Sequence, residues 1–444
     1  MRRLFWKFVG VVAVWGDGGF EYRPRAGTKH PMPRIVFVRH AQSEANVAQV
    51  WQGRGDAPLS DGGKAQVEAL ATRINGRAFD VVIASPLARA YGTAMAFDAE
   101  PVRDERLVEV DLGRWEDMGY REVGEDEADR DILMALGRGE DVAFGHTGER
   151  PSQVAIRVWS VIDEIIAKLP DEGTAAVVTH GGVIDSVIAR FFPPHDRRPH
   201  GWVTNTALTG VMHRHRLFRL AGFNDAGHLG RVPLEVSAAL AAGYPVIALI
   251  RHGRTRANVE QRWQGQSSWG LDAVGRKQTE LLESWMGRLE TVYTSPLERA
   301  QATATAIATT KPVVVDDLQE LSMGRWEGLT TTEIMTKDPD LFARIYERGE
   351  DAKRGGDGES WAELTVRVRA AIEALPLEPG SITGVVSHGG AIRAYISSLT
   401  STTDTHSQSL YTPPNTGVTH VALTSQGPVL LDYALAPHLD GAAE

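Results

Sequence analysis

The feature that most constrains the fold is a set of short motifs that occurs twice along the 444 residues. Matched residues lie 208 to 212 positions apart, far too long a period for a solenoid repeat, so the spacing predicts two tandem domains of ordinary size. The matched pairs are His40 and His252, Arg89 and Arg299, Glu109 and Glu320, His180 and His388, Asn205 and Asn415, and His228 and His438. We predict an extension at 1–31, a first domain at 32–230, a linker at 231–243 and a second domain at 244–440.

Each copy alternates short apolar runs with amphipathic stretches. In the first copy the pattern predicts strands at 35–38, 81–84, 175–179 and 208–214, and helices at 61–74, 86–97, 152–169 and 183–192. The first three runs are continuously apolar, which indicates strands buried on both faces. The predicted fold is therefore α/β, with two tandem three-layer α/β/α domains, each around a mostly parallel sheet. Sites in such sheets lie at the carboxyl ends of the strands, where His40 and His180 fall.

Composition excludes several classes of function. The net charge of −10 disfavours a nucleic-acid partner, which needs a basic surface. The chain has no cysteine, so disulfides, thiolate catalysis and cysteine-based metal sites are excluded. No apolar run approaches the roughly 20 residues that span a bilayer. A Gly-x-x-x-x-Gly-Lys nucleotide loop is also lacking.

The first 31 residues resemble neither domain. Arg2 and Arg3 followed by a short apolar stretch are similar to an export signal, but no small-x-small cleavage site follows. Met32 stands directly before the first predicted strand, and we interpret it as the true start. The preceding segment is then a disordered or misassigned extension, and the protein is expected to be cytoplasmic.

His40 and His252 are the candidate nucleophiles. Each follows an arginine, Arg39 or Arg251, at the end of an apolar run, within an Arg-His-x-x-Ser/Thr motif. A neutral imidazole nitrogen can attack phosphorus and form a phosphohistidine. With an ordinary pKa near 6.5, much of the imidazole is neutral at working pH. A buried histidine bonded to backbone is the alternative for either residue alone, and the repetition of the motif set argues against it.

Further repeated residues suit the binding of a phosphate. Arg89 and Arg299 lie in Ser-Pro-Leu-x-Arg-Ala motifs, where Ser is expected to cap a helix and Pro to begin it. A phosphate favours such planar, permanently charged donors. His180 and His388 each open a His-Gly-Gly turn before a predicted helix, where backbone can approach an anion.

A leaving alkoxide must be protonated, which a desolvated carboxylic acid can do. Several carboxylates are close enough in sequence, and the spacing does not choose among them. They are Glu105, Glu109, Asp111 and Glu116 in the first copy, and Glu320 and Glu327 in the second. Asn46 and Asn258 follow the candidate nucleophiles by six residues and are expected to bond a phosphate oxygen.

Together these motifs resemble the histidine phosphatase superfamily, the phosphoglycerate-mutase-like fold. The resemblance covers nearly everything after residue 31. It implies that His40 and His252 are phosphorylated, and that Glu109 and Glu320 are the acids. It further implies phosphate pockets that need no metal or cofactor. Their residues would be Arg39, Arg89 and His180 in the first copy, and Arg251, Arg299 and His388 in the second.

The two copies differ around these motifs. Ala41 stands where the family usually has glycine, and Asp117 stands where the second copy has Gly328. The stretch 266–271 departs from the acidic, proline-containing pattern that the first copy keeps at 55–60. Both pockets are expected to be competent, with substrates that differ.

We expect a phosphomonoester hydrolase with two active sites, acting on small phosphorylated metabolites. A mutase is the first alternative. The family resemblance implies that mutases need a longer segment to exclude water than the 71 and 68 residues between each acid and the second histidine. The second alternative is one catalytic domain beside a scaffold or sensor domain. No nucleic-acid or membrane partner is expected, and either a homodimer or an intramolecular domain pair is possible.

Overall fold

A computed structural model of the chain describes residues 32–97, 99–194, 197–214, 217–399 and 409–440. The predicted extension at 1–31 lies outside these residues. Contacts divide the described residues into two compact units. Unit 1 comprises 32–197 and Val203–Leu220, and unit 2 comprises Arg198–Trp202 and 221–440.

The first sheet has the strand order β3-β2-β4-β1-β5-β6. Its strands are β1 (Arg34–Arg39), β2 (Val81–Ala84), β3 (Val102–Arg103), β4 (Thr174–Thr179), β5 (Leu208–Arg214) and β6 (Leu217–Asp225). Strands β1, β4, β2 and β3 pair in parallel, whereas β5 pairs with β1 in the antiparallel direction. The sheet is therefore mixed, with a parallel centre as predicted.

The helices of unit 1 follow the strands. They are α1 (Glu44–Val47), α2 (Asp61–Ile74), α3 (Ala88–Ala94), α4 (Tyr120–Glu125), α5 (Glu127–Gly137), α6 (Pro151–Lys168) and α7 (Gly181–Ile188). Short 3₁₀ turns cover Glu105–Leu107, Gly113–Trp115 and Phe144–His146. Ser60 caps α2 by accepting a hydrogen bond from the backbone N–H of Gly63 at 3.0 Å.

The core of unit 1 covers both faces of the sheet. Val36 and Val38 of β1 pack with Leu70 and Ile74 of α2 on one face. The alternate residue Phe37 points to the opposite face and is also fully buried. Helix α7 contacts β1 and packs against α6, which covers that side. The three-layer arrangement predicted from the continuously apolar strands is confirmed.

Unit 2 repeats this architecture, with the equivalent strand order β12-β11-β7-β10-β8-β9. Its strands are β7 (Val246–Arg251), β8 (Val292–Thr294), β9 (Val313–Val314), β10 (Ile382–Ser387), β11 (Val418–Thr424) and β12 (Gly427–Leu430). Its helices are α8 (Leu234–Ala241), α9 (Arg256–Val259), α10 (Ala273–Met286), α11 (Glu298–Ile307), α12 (Thr331–Lys337), α13 (Pro339–Tyr346), α14 (Trp361–Glu373) and α15 (Gly389–Ser397). Its 3₁₀ turns are Asp316–Leu318, Gly324–Trp326, Arg354–Gly356 and Pro437–Leu439.

The predicted linker at 231–243 contains helix α8. Val236 and Ala239 of this helix are buried against Val246 of β7 and Ala422 of β11, so the helix is a packed part of unit 2. The predicted domain limits at 32–230 and 244–440 stay predictions. None of the helices in the described ranges combines the length and apolarity that crossing a bilayer requires.

The predicted helix 86–97 is shorter in the structure. Helix α3 begins at Ala88, with Leu87 as its N-cap, so Ser85 and Pro86 precede it. The Ser85 hydroxyl accepts a weak hydrogen bond from the Leu87 N–H at 3.4 Å, but its closest partner is His180, which directly follows strand β4. That long-range contact moves the helix start, and local capping preference could not reveal it.

One glycine fixes how α2 meets the loop after β1. A Cβ atom on Gly63 would lie 2.0 Å from the Gln42 carbonyl oxygen, which is backbone and cannot move aside. We predict that Gly63→Ala lowers the free energy of unfolding of unit 1 by about 1–3 kcal/mol. Chemical denaturation followed by tryptophan fluorescence measures it.

The matched control is Gly124→Ala, also within a helix. No heavy atom lies within 4 Å of the added Cβ there, and alanine favours a helix by about 0.5–1 kcal/mol. Gly124→Ala should therefore leave the denaturation midpoint unchanged or raise it. Equal destabilisation by both changes would contradict the close approach.

Candidate active site

The two candidate histidines of each unit meet because neighbouring parallel strands end together. Arg39 pairs with Thr179 at the ends of β1 and β4, and His40 then donates its backbone N–H to the Thr179 carbonyl at 2.8 Å. The rings of His40 and His180 are 5.1 Å apart between centroids. In unit 2 the corresponding distance, between His252 and His388, is 5.2 Å.

The hydrogen bonds of His40 leave one ring nitrogen as a base. Its Nδ1 lies 2.7 Å from the Ala41 carbonyl oxygen, which can only accept, so Nδ1 carries the proton. The lone pair is then on Nε2, which receives the Arg89 Nε–H at 3.3 Å. Burial, followed by the charges of Arg89 and Arg39, holds the pKa of His40 well below its usual value. The imidazole is therefore neutral and able to act as a nucleophile.

His252 has the same arrangement, with Nδ1 2.8 Å from the Gly253 carbonyl oxygen. Burial and the charges of Arg299 and Arg251 lower the pKa of His252 well below its usual value. The repetition shows that the tautomer depends on backbone and not on a side chain particular to one copy.

Arg89 is a fully buried cation held by backbone. Its Nη1 donates to the Gly55 carbonyl at 2.6 Å and its Nη2 to the Gly53 carbonyl at 2.8 Å. Glu116 fixes this loop from the other side by accepting the N–H groups of Gly53 and Arg54. Glu116, one of the alternative acids, therefore holds the loop that supports Arg89.

In unit 2, Arg299 donates to the carbonyl groups of Gly265 and Ser267 at 2.7 and 2.9 Å. Burial lowers the pKa of Arg299 to about 10, so the guanidinium stays charged at neutral pH. The Arg299 Nε is buried and has no hydrogen-bond partner within the described residues. An oxyanion beside His252 would supply that partner.

The other arginine lies across the site at the start of α7. Arg39 donates through Nη1 to the Val203 carbonyl, and a Cβ on Gly181 would lie 3.5 Å from the Arg39 Nε. In unit 2, Arg251 donates to the Pro413 carbonyl at 2.6 Å and lies at a similar distance from Gly389. Two guanidiniums thus flank the imidazoles in each unit.

His180 is completely buried, and Ser85 orients it. The His180 Nε2 and the Ser85 Oγ are 2.7 Å apart, while the His180 Nδ1 has no hydrogen-bond partner in the part of the chain that the structure describes. Burial, followed by the charges of neighbouring Arg89 and His40, lowers the pKa of His180 well below its usual value. In unit 2, His388 and Ser295 form the same pair at 2.8 Å, again with Nδ1 unpartnered among described residues.

Glu109 lies beside these groups. Its carboxylate accepts the N–H groups of Val110 at 2.9 Å and of Gly182 at 3.2 Å. Burial raises the pKa of Glu109, although the two N–H groups and Arg89 partly oppose this. Glu320 holds the same place through Leu321, Gly390 and Ala391.

The remaining alternative acids of the first copy lie elsewhere. Glu105 is exposed in a 3₁₀ turn, and Asp111 caps Gly113 and faces Arg54. In unit 2, Glu327 accepts the Gln266 N–H at 2.9 Å, as Glu116 does for its loop. Among these described candidate acids, Glu109 and Glu320 alone contact the turn that follows the second histidine.

Asn46 and Asn258 are close to the nucleophiles through a second asparagine. The Asn205 Nδ2 donates to the His40 carbonyl at 2.8 Å and reaches the Asn46 Oδ1 at 3.3 Å. Asn46 also closes the capping box of α1 with Ser43. Asn415 repeats both contacts with His252 and Asn258. We recognised Asn205 and Asn415 as repeated residues but assigned them no role.

Another pair of residues was missed altogether. Arg157 donates to the Glu109 carbonyl at 3.3 Å and to the Val108 carbonyl at 2.7 Å, and it forms an ion pair with Glu149. Arg367 repeats this with Glu320 and Glu359. Arg157 and Arg367 are 210 residues apart, so the repeat spacing alone was a signal that could have found them.

All twelve predicted site residues thus lie in two matching clusters, one in each unit. Within the described residues, no group of three or more His, Asp or Glu side chains is placed to hold a metal ion.

Stretches of the chain are similar in sequence to known proteins. The chain is 36% identical over 156 residues to a metal-independent phosphoserine phosphatase of Arabidopsis thaliana, covering 33% of this chain and 66% of that protein. It is 36% identical over 159 residues to a probable phosphoglycerate mutase of Yersinia enterocolitica, covering 34% and 74%. A solved mycobacterial glucosyl-3-phosphoglycerate phosphatase shares 28% identity over 43% of this chain and 98% of its own, with a TM-score of 0.39.

The sequence model of the histidine phosphatase superfamily (branch 1) matches twice, at residues 35–226 and 247–435. These two stretches contain all twelve residues of the paired clusters and most of the chain. The chain therefore belongs to the histidine phosphatase superfamily, as a tandem of two such domains.

Proposed function

We propose that each unit hydrolyses phosphomonoesters through a phosphohistidine. The observation that carries this proposal is the buried pair of imidazoles, His40 and His180, 5.1 Å apart between the guanidiniums of Arg39 and Arg89. These four nitrogen-bearing side chains lie together, and among the described residues the buried Nδ1 of His180 has no hydrogen-bond partner. A dianionic phosphoryl group suits that environment.

In the first step the His40 Nε2 attacks phosphorus. The N–P bond forms as the bond from phosphorus to the ester oxygen breaks, and the leaving oxygen takes a proton from Glu109. The His40 Nδ1–H stays hydrogen-bonded to the Ala41 carbonyl oxygen. That carbonyl therefore stabilises the positive charge that the ring acquires. In the second step water attacks phosphorus, Glu109 accepts a proton from it, and the N–P bond breaks.

The second histidine is proposed to hold the transferring oxygens. If the Ser85 hydroxyl donates to the His180 Nε2 while accepting the Leu87 N–H, the proton of neutral His180 is on Nδ1. The Nδ1–H is then a donor for a phosphoryl oxygen, beside Arg89 and Arg39. Such pre-positioned donors stabilise charge that develops in the transition state.

Hydrolysis is favoured over phosphoryl transfer between carbons. The segments between acid and second histidine are short, and one of the similar sequences is a phosphoserine phosphatase. A mutase is the alternative, since another similar sequence is named as a probable phosphoglycerate mutase. The two reactions differ in whether phosphate is released or returns to carbon when a bisphosphate primer is supplied.

The substrates are proposed to be small phosphorylated metabolites, with no nucleic-acid or membrane partner. The stretches 118–150 and 329–360 differ most between the copies and would shape the two substrate pockets. A cytoplasmic location and either a homodimer or an intramolecular domain pair remain predictions from the sequence.

If both sites are active, we predict that His40→Ala and His252→Ala each keep part of the phosphatase activity. The double variant should lose activity at least about 10³-fold, because both nucleophiles are removed. Free phosphate release from p-nitrophenyl phosphate measures it. Acid-labile phosphate on both histidines should be trapped by rapid quench and mass spectrometry. Complete loss from one single variant and none from the other would instead support a scaffold role for one unit.

The pH dependence of the first site follows from two shifted groups. In His252→Ala, kcat/KM for an alkyl phosphate should not fall as the pH drops through 6.5, because the pKa of His40 lies well below that value. It should fall as the pH rises through the raised pKa of Glu109, which must be protonated to act as the acid. Initial rates between pH 4 and 9 measure this, corrected for the phosphate's own ionisation near about 6.

The control for that profile is p-nitrophenyl phosphate, whose leaving group needs no proton. The decline of kcat/KM at alkaline pH should be weaker for p-nitrophenyl phosphate than for the alkyl phosphate. Glu109→Gln should remove this decline for both substrates. A decline that begins near pH 6.5 on the acid side would contradict a neutral His40.

Ser85 is proposed as a positioning residue for His180. In the His252→Ala protein, Ser85→Ala should lower kcat about tenfold, the value of one hydrogen bond, with little change in KM. Steady-state kinetics measures the two constants separately. The matched control is Ser295→Ala in the same protein, which should change neither, because it alters only the silenced site.

A further inference from the structure

The two sites differ in charge at one matched position beside the phosphate pocket. The fifth residue after the second histidine is Asp185 in unit 1 and Arg393 in unit 2. Both lie in a helix that begins directly after that histidine, and His180 and His388 cap their helices with nearly equal backbone angles. The two side chains therefore leave equivalent points of the fold, with opposite charge.

Contacts place Arg393 next to the phosphate-pocket arginine. The Arg393 Nη1 donates to the Thr412 Oγ1 at 3.3 Å. The next residue, Pro413, accepts the Nη1–H of Arg251 through its carbonyl at 2.6 Å. A Cβ on Gly389 would lie 2.5 Å from the Thr412 methyl and 3.4 Å from the Arg251 Nε. The Thr412 side chain thus separates Arg393 from the proposed phosphoryl site.

A second arginine supports this cationic corner in unit 2. Arg354 is buried and bonds to Asp351 at 3.1 Å. Burial raises the pKa of the Tyr346 hydroxyl, and the charges of Arg354 and Arg393 partly oppose this rise. The hydroxyl is therefore close to both guanidiniums. The Arg393 guanidinium carbon is also 5.4 Å from the Trp361 ring centre.

Unit 1 has no counterpart of these groups among its described residues. Phe144 stands in place of Arg354, and Pro151 in place of Trp361, at the same positions of the repeat. Asp141 corresponds to Asp351 and caps the next helix in the same way, through the N–H of Ser152. At the two matched positions, unit 1 therefore has Asp185 and Phe144 where unit 2 has Arg393 and Arg354.

Two other charge differences near the pockets cancel. Arg54 lies 3.8 Å from Asp111 in unit 1, and both are replaced by neutral residues, Gln266 and Ser322, in unit 2. In unit 1 the carboxylate of Asp56 accepts the Ala88 N–H. In unit 2 the matched pair is Ser268 and Glu298, so the carboxylate lies on the other partner of the pair. These exchanges move charges without changing their sum, unlike the exchanges of Asp185 for Arg393 and Phe144 for Arg354.

We propose that the site of unit 2 selects phosphomonoesters that carry a second anionic group, a carboxylate or another phosphate, which Arg393 binds. The site of unit 1, with Asp185 at that position, favours phosphomonoesters whose remainder is uncharged. This inference rests on the proposed phosphatase function. It makes the duplication a division of substrates by charge.

The test compares two substrates of nearly equal size on the full chain. 3-Phosphoglycerate carries a carboxylate where glycerol 3-phosphate carries a hydroxymethyl group. His40→Ala leaves only the second site, and His252→Ala leaves only the first. The ratio of kcat/KM for the two substrates should be at least about tenfold higher in His40→Ala, the value of one charge-assisted hydrogen bond. Equal ratios overturn the proposal.

Charge variants identify the residue responsible. In His40→Ala, Arg393→Gln should lower kcat/KM for 3-phosphoglycerate about tenfold and change that for glycerol 3-phosphate by less than about twofold, whereas Arg393→Lys should retain most of the preference. In His252→Ala, Asp185→Asn should raise kcat/KM for 3-phosphoglycerate. An equal loss for both substrates in Arg393→Gln would make Arg393 structural and overturn the proposal.

Hydrolysis of p-nitrophenyl phosphate separates this inference from the proposed function. If neither single-site protein hydrolyses it, the phosphatase function itself fails. If both hydrolyse it with the same ratio for the two glycerol derivatives, the phosphatase function stands and only the division by charge fails.

Discussion

A buried guanidinium held by backbone carbonyls is the interaction on which each site depends. Removing a charge from water costs several kcal/mol unless partners compensate it. Arg89 has the carbonyl groups of Gly53 and Gly55 as partners, but within the described residues it makes no ion pair with a carboxylate. Its positive charge is therefore oriented without being neutralised. Burial, followed by this charge, holds the pKa of His40 well below its usual value.

Because those partners are backbone groups, the loop can change its sequence without losing its function. The stretch 266–271 departs from the pattern of the first copy, yet Arg299 bonds to the carbonyl groups of Gly265 and Ser267 as Arg89 does to its loop. Glu116 and Glu327 fix the two loops through N–H groups. The side chains of this loop can thus vary while its backbone contacts to the buried guanidinium stay constant.

Residues behind the site explain why the catalytic groups keep their orientation. Ser85 holds His180, Asn205 holds the backbone of His40, and Arg157 holds the backbone of Glu109. These contacts join residues that are 48 to 165 positions apart. Local rules of helix capping predicted that Ser85 caps a helix from Pro86, whereas α3 begins two residues later, at Ala88, and the Ser85 hydroxyl contacts His180. Asn205 stood out as repeated, but its partner could not be read from spacing.

The sequence alone determined the duplication, the α/β class and the residues at the strand ends, because strand burial and motif spacing are local properties of a chain. It also predicted six polar side chains for each site, which the structure places close together, though it needed the family resemblance to choose Glu109 over Glu116. Only the tertiary structure decided which nitrogen of His40 carries the proton and which carboxylate contacts the turn after the second histidine. It also showed that Arg393 bonds to Thr412, next to the residue whose carbonyl accepts Arg251. Those features depend on hydrogen bonds and burial between distant segments, and such contacts exist only once the chain has folded.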